Sequence, residues 1–104
     1  MAIFYNITGS TGVTVELIKP NADSNIKTIL LTNVHASNDA TVTLFIQDDP
    51  ASGATKTYNI IHTIAIPADT SLLLDNSSML THDDRFGLYI TVGSSDTVDV
   101  MINN

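Results

Sequence analysis

The chain has 104 residues, no cysteine and a formal net charge of −7, with four Lys and Arg residues against eleven Asp and Glu residues. So few cations cannot supply the clustered positive charge that nucleic acids or anionic membranes require, and we expect neither as a partner. The absence of thiols excludes disulfides and thiolate chemistry, and the length is typical of a single domain, residues 1–104. The first residues show no signal-peptide pattern and no apolar run is long enough to span a membrane, so we expect synthesis in a cytoplasm.

Short segments with a two-residue hydrophobic period follow one another along the whole chain, and no segment has the period of a helix. Residues 29–31 are apolar at every position, which favours a strand in the middle of a sheet. About seven or eight strands at this spacing predict an all-β fold, an antiparallel β-sandwich or a jelly roll. The predicted strands are 2–8 (an edge strand), 13–17, 26–34, 41–46, 57–66, 71–74, 86–92 and 98–102.

Gly, Pro, Asn, Asp and Ser separate these strands. Ala36–Ala40 is predicted to be a hairpin connection, and Pro67–Thr70 and Gly93–Asp96 are predicted to be tight turns. A longer loop begins at Asp48, and Asn76–Asp84 is the one stretch that favours a helical turn.

Candidate metal ligands do not occur in a metal-binding pattern. His35, His62 and His82 are far apart. In the run 57–66, His62 shares one side with Ile60, Ile64 and Ile66 and is predicted to be packed, whereas His35 and His82 lie near turns and are predicted to be solvated. Asp48-Asp49 and Asp83-Asp84 are paired acids, but adjacent strand residues point to opposite faces, so we favour solvated turns over a calcium site. We expect no metal and no cofactor.

Catalysis is not indicated, because the chain has neither a Gly-x-Ser-x-Gly elbow nor a glycine-rich phosphate loop. A sugar-stacking platform could be formed by Tyr5, Tyr58 and Tyr89, although packing is the favoured role for Tyr89. Arg85 is the sole arginine; it either pairs with the neighbouring acids or binds a carboxylate of a partner.

Several segments resemble small virion-associated proteins of tailed phages. Residues 32–46 resemble a recurring hairpin of these proteins, with Thr-Asn before a Ser- and Ala-rich turn and Val-Thr-Leu after it. Residues 66–75 are similar to their Ile-Pro-Ala turn and Leu-rich strand. The closing features that match are Leu80, Asp84, Val98, Val100 and Ile102.

This resemblance implies a small β-sandwich structural protein of a tailed bacteriophage, of cyanophage or marine type. The expected function is capsid decoration: a cement protein of the virion that bridges the major capsid protein or other virion subunits as a homo-oligomer, for which a trimer is a suitable unit. A tail, neck or fibre component and a glycan-binding attachment module are the alternatives.

Charged residues make up 14% of the chain, which suits a surface covered by neighbours but also an ordinary polar β surface. The residues predicted to form the interface are Met1, Ala2, Ile3, Phe4, Tyr5, Asp48, Asp49, Pro50 and Arg85.

Overall fold

Two four-stranded antiparallel sheets form the fold in the computed structural model, which describes residues 2–8, 14–20, 25–48, 56–80, 85–93 and 96–103. Sheet 1 has the strand order β1-β8-β3-β6, and sheet 2 has the order β2-β7-β4-β5. One helical turn, α1, lies within the segment predicted to hold it. The bounds are β1 Ala2–Thr8, β2 Thr14–Ile18, β3 Thr28–Asn33, β4 Ala40–Asp48, β5 Thr57–Ile66, β6 Ser71–Leu74, α1 Ser77–Leu80, β7 Phe86–Val92 and β8 Thr97–Asn103.

The strand order is that of a jelly roll. Strand β1 pairs with β8, β2 with β7, β3 with β6, and β4 with β5. The chain therefore folds as one long hairpin rolled up on itself, with the β4–β5 connection at its tip. The predicted all-β antiparallel sandwich is confirmed, and β1 is the edge strand that its sequence predicted.

The core lies between the sheets because alternate residues of each strand point inward. Inner residues of neighbouring strands meet in rows: Ile3, Ile102, Ile29 and Leu74 face one another across sheet 1. Burying such aliphatic side chains contributes about 1.5–3 kcal/mol each, so these rows are the main stabilising feature of the sandwich. The fully buried side chains include Ile26, Ile29, Leu31, Val42, Leu44, Ile66, Leu88, Ile90, Val92, Val98, Val100 and Ile102.

The predicted hairpin at Ala36–Ala40 is wrong. Strand β3 belongs to sheet 1 and β4 to sheet 2, so this connection crosses from one sheet to the other. Turn-forming residues mark where a strand ends, but the pairing of a strand is decided by distant segments that the local sequence does not reveal. The tight turn predicted at Gly93–Asp96 has its centre, residues 94 and 95, outside the described residues, but the Asp96 N–H donates to the Gly93 carbonyl at 3.0 Å. This connection also crosses between the sheets.

Asn33 joins two of these crossing connections. Its Nδ2 donates to the carbonyl oxygens of Asn38 at 2.8 Å and Ile66 at 2.9 Å, and its Oδ1 accepts from the His35 N–H at 3.0 Å. The side chain is fully buried, and its amide oxygen and both amide protons have backbone partners. Asn33 therefore holds the β3–β4 and β5–β6 connections side by side at one end of the sandwich.

The prediction that His62 is packed is wrong, because the side chain is exposed. Val42 lies opposite Ile64, but Leu44 lies opposite Ile61, so β5 contains an extra residue at this point. Thr63 has a φ of 53° in this bulge. A β-bulge breaks the two-residue alternation from which the inward position of His62 was inferred.

Candidate interaction surface on sheet 1

Four large apolar side chains form a line across the outer face of sheet 1. Phe4 lies opposite Met101, Met101 opposite Leu30, and Leu30 opposite Leu73, so each strand of the sheet contributes one residue. With strands about 4.8 Å apart, the line is roughly 14 Å long. We call these four residues the apolar row.

The apolar row is largely accessible to solvent. Phe4 is 68% exposed, Leu73 55% and Met101 40%, and Leu30 is half-buried between its neighbours. Two shallow depressions of about 320 and 360 Å³ adjoin the row, and Phe4 and Met101 line both. Single exposed apolar residues are ordinary on protein surfaces, whereas a contiguous exposed group marks a surface that contacts another molecule.

The apolar row arises from four apolar triplets in the sequence: residues 3–5, 29–31, 72–74 and 100–102. Because strand residues alternate between faces, the outer two residues of a triplet point into the core and the middle one must point outward. The pairing register then places the four middle residues opposite one another. Of these four residues, only Phe4 is among those that the sequence predicts for the interface. The triplet around Leu30 is explained by a central strand, and Leu73 and Met101 are not among the predicted interface residues.

A polar row lies beside the apolar row on the same face. Asn6 Nδ2 donates to the Asp99 carboxylate, and the hydroxyl groups of Thr32 and Ser71 are 2.9 Å apart. Asp99 is the one charged residue among the outward-facing positions of the described strands of sheet 1. This face is therefore nearly uncharged in a chain whose net charge is −7.

The outer face of sheet 2 exposes less aromatic surface than that of sheet 1, because its aromatic residues pack against one another. Tyr89 is only 9% exposed and stacks on Phe45, with ring centroids 5.6 Å apart and planes 19° apart. A Cβ atom at Gly87 would lie 2.8 Å from the Tyr89 hydroxyl oxygen and 2.9 Å from a Pro20 carbon, so Gly87 leaves the space that this ring fills. The packing role expected for Tyr89 is thus observed, and the open apolar surface lies on sheet 1.

The predicted interface residues do not form one group. Phe4 lies in the apolar row, while Ile3 and Tyr5 point toward the core, where the Tyr5 hydroxyl donates to the Leu17 carbonyl at 2.7 Å. Asp48 pairs with Phe86 at the end of sheet 2 near Arg85, and Ala2 pairs with Asn103 at the corresponding end of sheet 1. Met1, Asp49 and Pro50 lie outside the described residues. Contact of any of these residues with a partner stays a prediction.

Arg85 is exposed, and its guanidinium carbon lies 5.4 Å from the centroid of the Phe86 ring. This cation–π contact places the charge of Arg85 at the end of sheet 2 where β7 begins. Asp83 and Asp84, its predicted local partners, lie outside the described residues.

The other candidate sites of the sequence are dispersed. In the described part of the chain, no three His, Asp or Glu side chains are grouped so that they could hold a metal ion. Tyr5 points inward from β1, Tyr89 lies on the outer face of sheet 2, and Tyr58 packs edge-on against Phe86, so the three tyrosines form no common platform. None of the helical structure described here has the length and apolar character of a membrane span.

Comparison with protein-family models gives no match, and comparison with curated protein sequences gives none either. Solved structures do resemble the fold. A chain of the T13 viral particle of infectious bursal disease virus (IBDV) matches with a TM-score of 0.56 and 13% identity over 98% of this chain and 30% of that chain. Chains from the Gx and Gt strains of the virus match with TM-scores of 0.52 and 0.51, at 16% and 13% identity, over 98% and 99% of this chain and 33% and 29% of theirs.

This chain therefore spans about a third of the length of the viral chains that it resembles. At these identities the likeness shows the fold, and the strand order defines its class: an eight-stranded jelly roll within the described residues.

Proposed function

We propose that this protein is a non-catalytic structural subunit of a virus particle, which docks on neighbouring subunits through the outer face of sheet 1. The observation that carries the proposal is the apolar row, in which Phe4, Met101 and Leu73 are exposed along one line across sheet 1. A soluble monomer gains nothing from exposing these groups, whereas a subunit covered by a neighbour buries them.

Docking through this row is energetically sufficient for a protein present in many copies. Complete burial of a Phe, Leu or Met side chain contributes about 1.5–3 kcal/mol, and each exposed member of the row has roughly half of its surface left to bury. A weak contact of a few kcal/mol per copy becomes effective when many copies bind one lattice. The near absence of charge on the face lowers the desolvation cost of burying it.

The particular role that we propose is capsid decoration in a tailed phage. The phage-like segments of the sequence, its low content of charged residues and the jelly-roll fold, which resembles chains in viral particles, support this role. As a decoration protein, the chain would bridge neighbouring capsid subunits, so that internal DNA pressure must break additional contacts.

Binding of the purified protein to particles that lack it tests the docking face. Leu73→Lys and Met101→Lys each place a charge in the apolar row, and we expect each to weaken binding at least tenfold. Asn59→Lys is the matched control, because Asn59 is exposed on sheet 2, and we expect it to bind as the unmodified chain does. Normal binding by both row variants would contradict the proposal.

Copy number distinguishes decoration from a role in the tail, neck or fibre. Quantitative mass spectrometry of purified particles should find on the order of hundreds of copies for a capsid component and about a dozen or fewer for a tail component. Particles without a decoration protein should release DNA at a lower temperature than complete particles. Few copies together with unchanged thermal release would reject the decoration role.

A further inference from the structure

The four edge strands of the sandwich differ in how they are protected against pairing with another chain. Strand β5 has two register shifts and the strained Thr63, β2 has a register shift and is followed by Lys19-Pro20, and β6 has only four residues. Bulges, a charged residue beside proline, and short length are the devices by which natural proteins block their sheet edges.

Strand β1 has none of these devices. Its seven residues pair with β8 in seven consecutive steps without a register shift, and no described strand lies along its other side. The strand contains no Asp, Glu, Lys, Arg or Pro, and Ile3, Phe4 and Tyr5 in its first half strongly favour extended structure. It therefore presents a regular, uncharged row of backbone groups at the edge of sheet 1.

We infer that β1 is a self-association site: the β1 strands of two copies pair antiparallel and join their two copies of sheet 1 into one eight-stranded sheet. A second copy fits this edge because β1 contains no charged residue, so the paired strands bring no like charges into contact although each chain has a net charge of −7. A twofold axis makes the contact self-complementary and closes it at two copies.

The register follows from the faces of the sheet. Core-facing residues must meet core-facing residues, so the axis passes beside an individual residue of β1. An axis at Phe4 places the two Phe4 rings opposite each other and sets Ile3 against Tyr5 on the inner side. The two apolar rows then form one continuous line of eight side chains. An axis at Tyr5 would instead set Phe4 against the polar Asn6.

This inference goes beyond the proposed function, because pairing through β1 does not require a virus particle. It also predicts how the docking face would be used, since two joined copies present a surface twice as wide to a partner.

Sedimentation velocity of the full chain over a range of concentrations tests the association. A single strand pair is a small interface, so we expect reversible dimerisation with a dissociation constant in the high-micromolar range. Above that concentration the apparent mass should approach twice 11.1 kDa. Phe4→Lys places two like charges at the axis and should weaken the dimer at least tenfold. Leu73→Lys changes an equally apolar, exposed residue at the opposite edge of the sheet and should leave the dimer intact.

Cysteine cross-linking tests the register without depending on affinity, because the chain has no cysteine of its own. Under mild oxidation Phe4→Cys should form a disulfide-linked dimer, since directly opposite residues are about 5 Å apart. Asn6→Cys, on the same face of the same strand, should cross-link at least tenfold more slowly. Circular dichroism confirms that each variant is folded.

The inference is overturned if the chain stays monomeric at millimolar concentration, if Phe4→Lys dimerises normally, or if the two cysteine variants cross-link equally. The inference and the proposed function can fail separately, because the Leu73→Lys variant should bind particles weakly and still dimerise like the unmodified chain.

Discussion

At the scale of single residues, Asn33 is the described residue whose burial depends most on its hydrogen bonds. It is the one polar side chain among the described residues that is completely buried, and three backbone groups depend on it. The sequence shows an Asn at the end of an apolar strand, which is also where a solvated turn begins. Only the folded structure shows that the residue faces inward, at the point where two sheet-crossing connections meet.

Replacing Asn33 with Ala should therefore lower the free energy of unfolding by about 2–4 kcal/mol. The substitution leaves the Asn38 and Ile66 carbonyls and the His35 N–H without their partner, and an unsatisfied buried group costs about 1–3 kcal/mol. Urea denaturation measures the loss. The control is Asn59→Ala, at an exposed position, which should change stability by less than about 0.5 kcal/mol. Equal effects of the two changes would show that the Asn33 bonds contribute nothing.

At the scale of elements, β5 shows where sequence patterns stop being informative. Its alternation predicted one face shared by Ile60, His62, Ile64 and Ile66, but two register shifts against β4 divide the strand. Thr63 is β-branched and has a φ of 53°, a conformation that such residues rarely adopt. The bulge contains neither Gly nor Pro, so the sequence has no local feature that predicts it.

Thr63→Asn should stabilise the protein by about 0.5–1 kcal/mol, because Asn tolerates a positive φ much better than Thr does. Thermal denaturation should show a correspondingly higher midpoint. The matched change Thr41→Asn lies at an exposed position of the adjacent strand, where Asn has the lower strand propensity, and should lower the midpoint slightly. A lower midpoint for Thr63→Asn would mean that the bulge is not strained.

The sequence allows the outward apolar residues of the candidate surface to be predicted, but not their arrangement in one row. An apolar triplet such as 72–74 requires one outward apolar residue, and this follows from alternation alone. That the four outward residues form one row follows from the pairing register, which no local pattern contains. Of the predicted interface residues described in the structure, only Phe4 belongs to the row. Ile3 and Tyr5 flank it in β1 but point inward, and Asp48 and Arg85 lie at the end of sheet 2.

At the scale of the whole molecule, the sequence predicted the class and the number of strands, while the connections required the structure. Period-two runs and turn residues are local features, and they correctly indicated an antiparallel all-β sandwich of seven or eight strands. The assignment of β3 and β4 to different sheets depends on pairing between distant segments, which is why the predicted hairpin between them was wrong.

The rolled-hairpin topology predicts an order of folding. Gln47 and Thr57 of the β4–β5 pair are 10 residues apart, whereas Asn6 and Asp99 of the β1–β8 pair are 93 apart. Closing a long loop costs more conformational entropy than closing a short one, so β4–β5 should form first and β1–β8 last.

Val42 and Val100 allow a matched test of this order, since both are fully buried valines, one in β4 and one in β8. Truncation of either to Ala should cost about 1–3 kcal/mol of equilibrium stability, enough for reliable kinetic analysis. In stopped-flow experiments Val42→Ala should mainly slow folding, with a φ-value above about 0.5, because its contacts exist in the transition state. Val100→Ala should mainly accelerate unfolding, with a φ-value below about 0.3. The reverse assignment would mean that the termini meet before the tip of the hairpin forms, and that the rolled hairpin does not close from its tip.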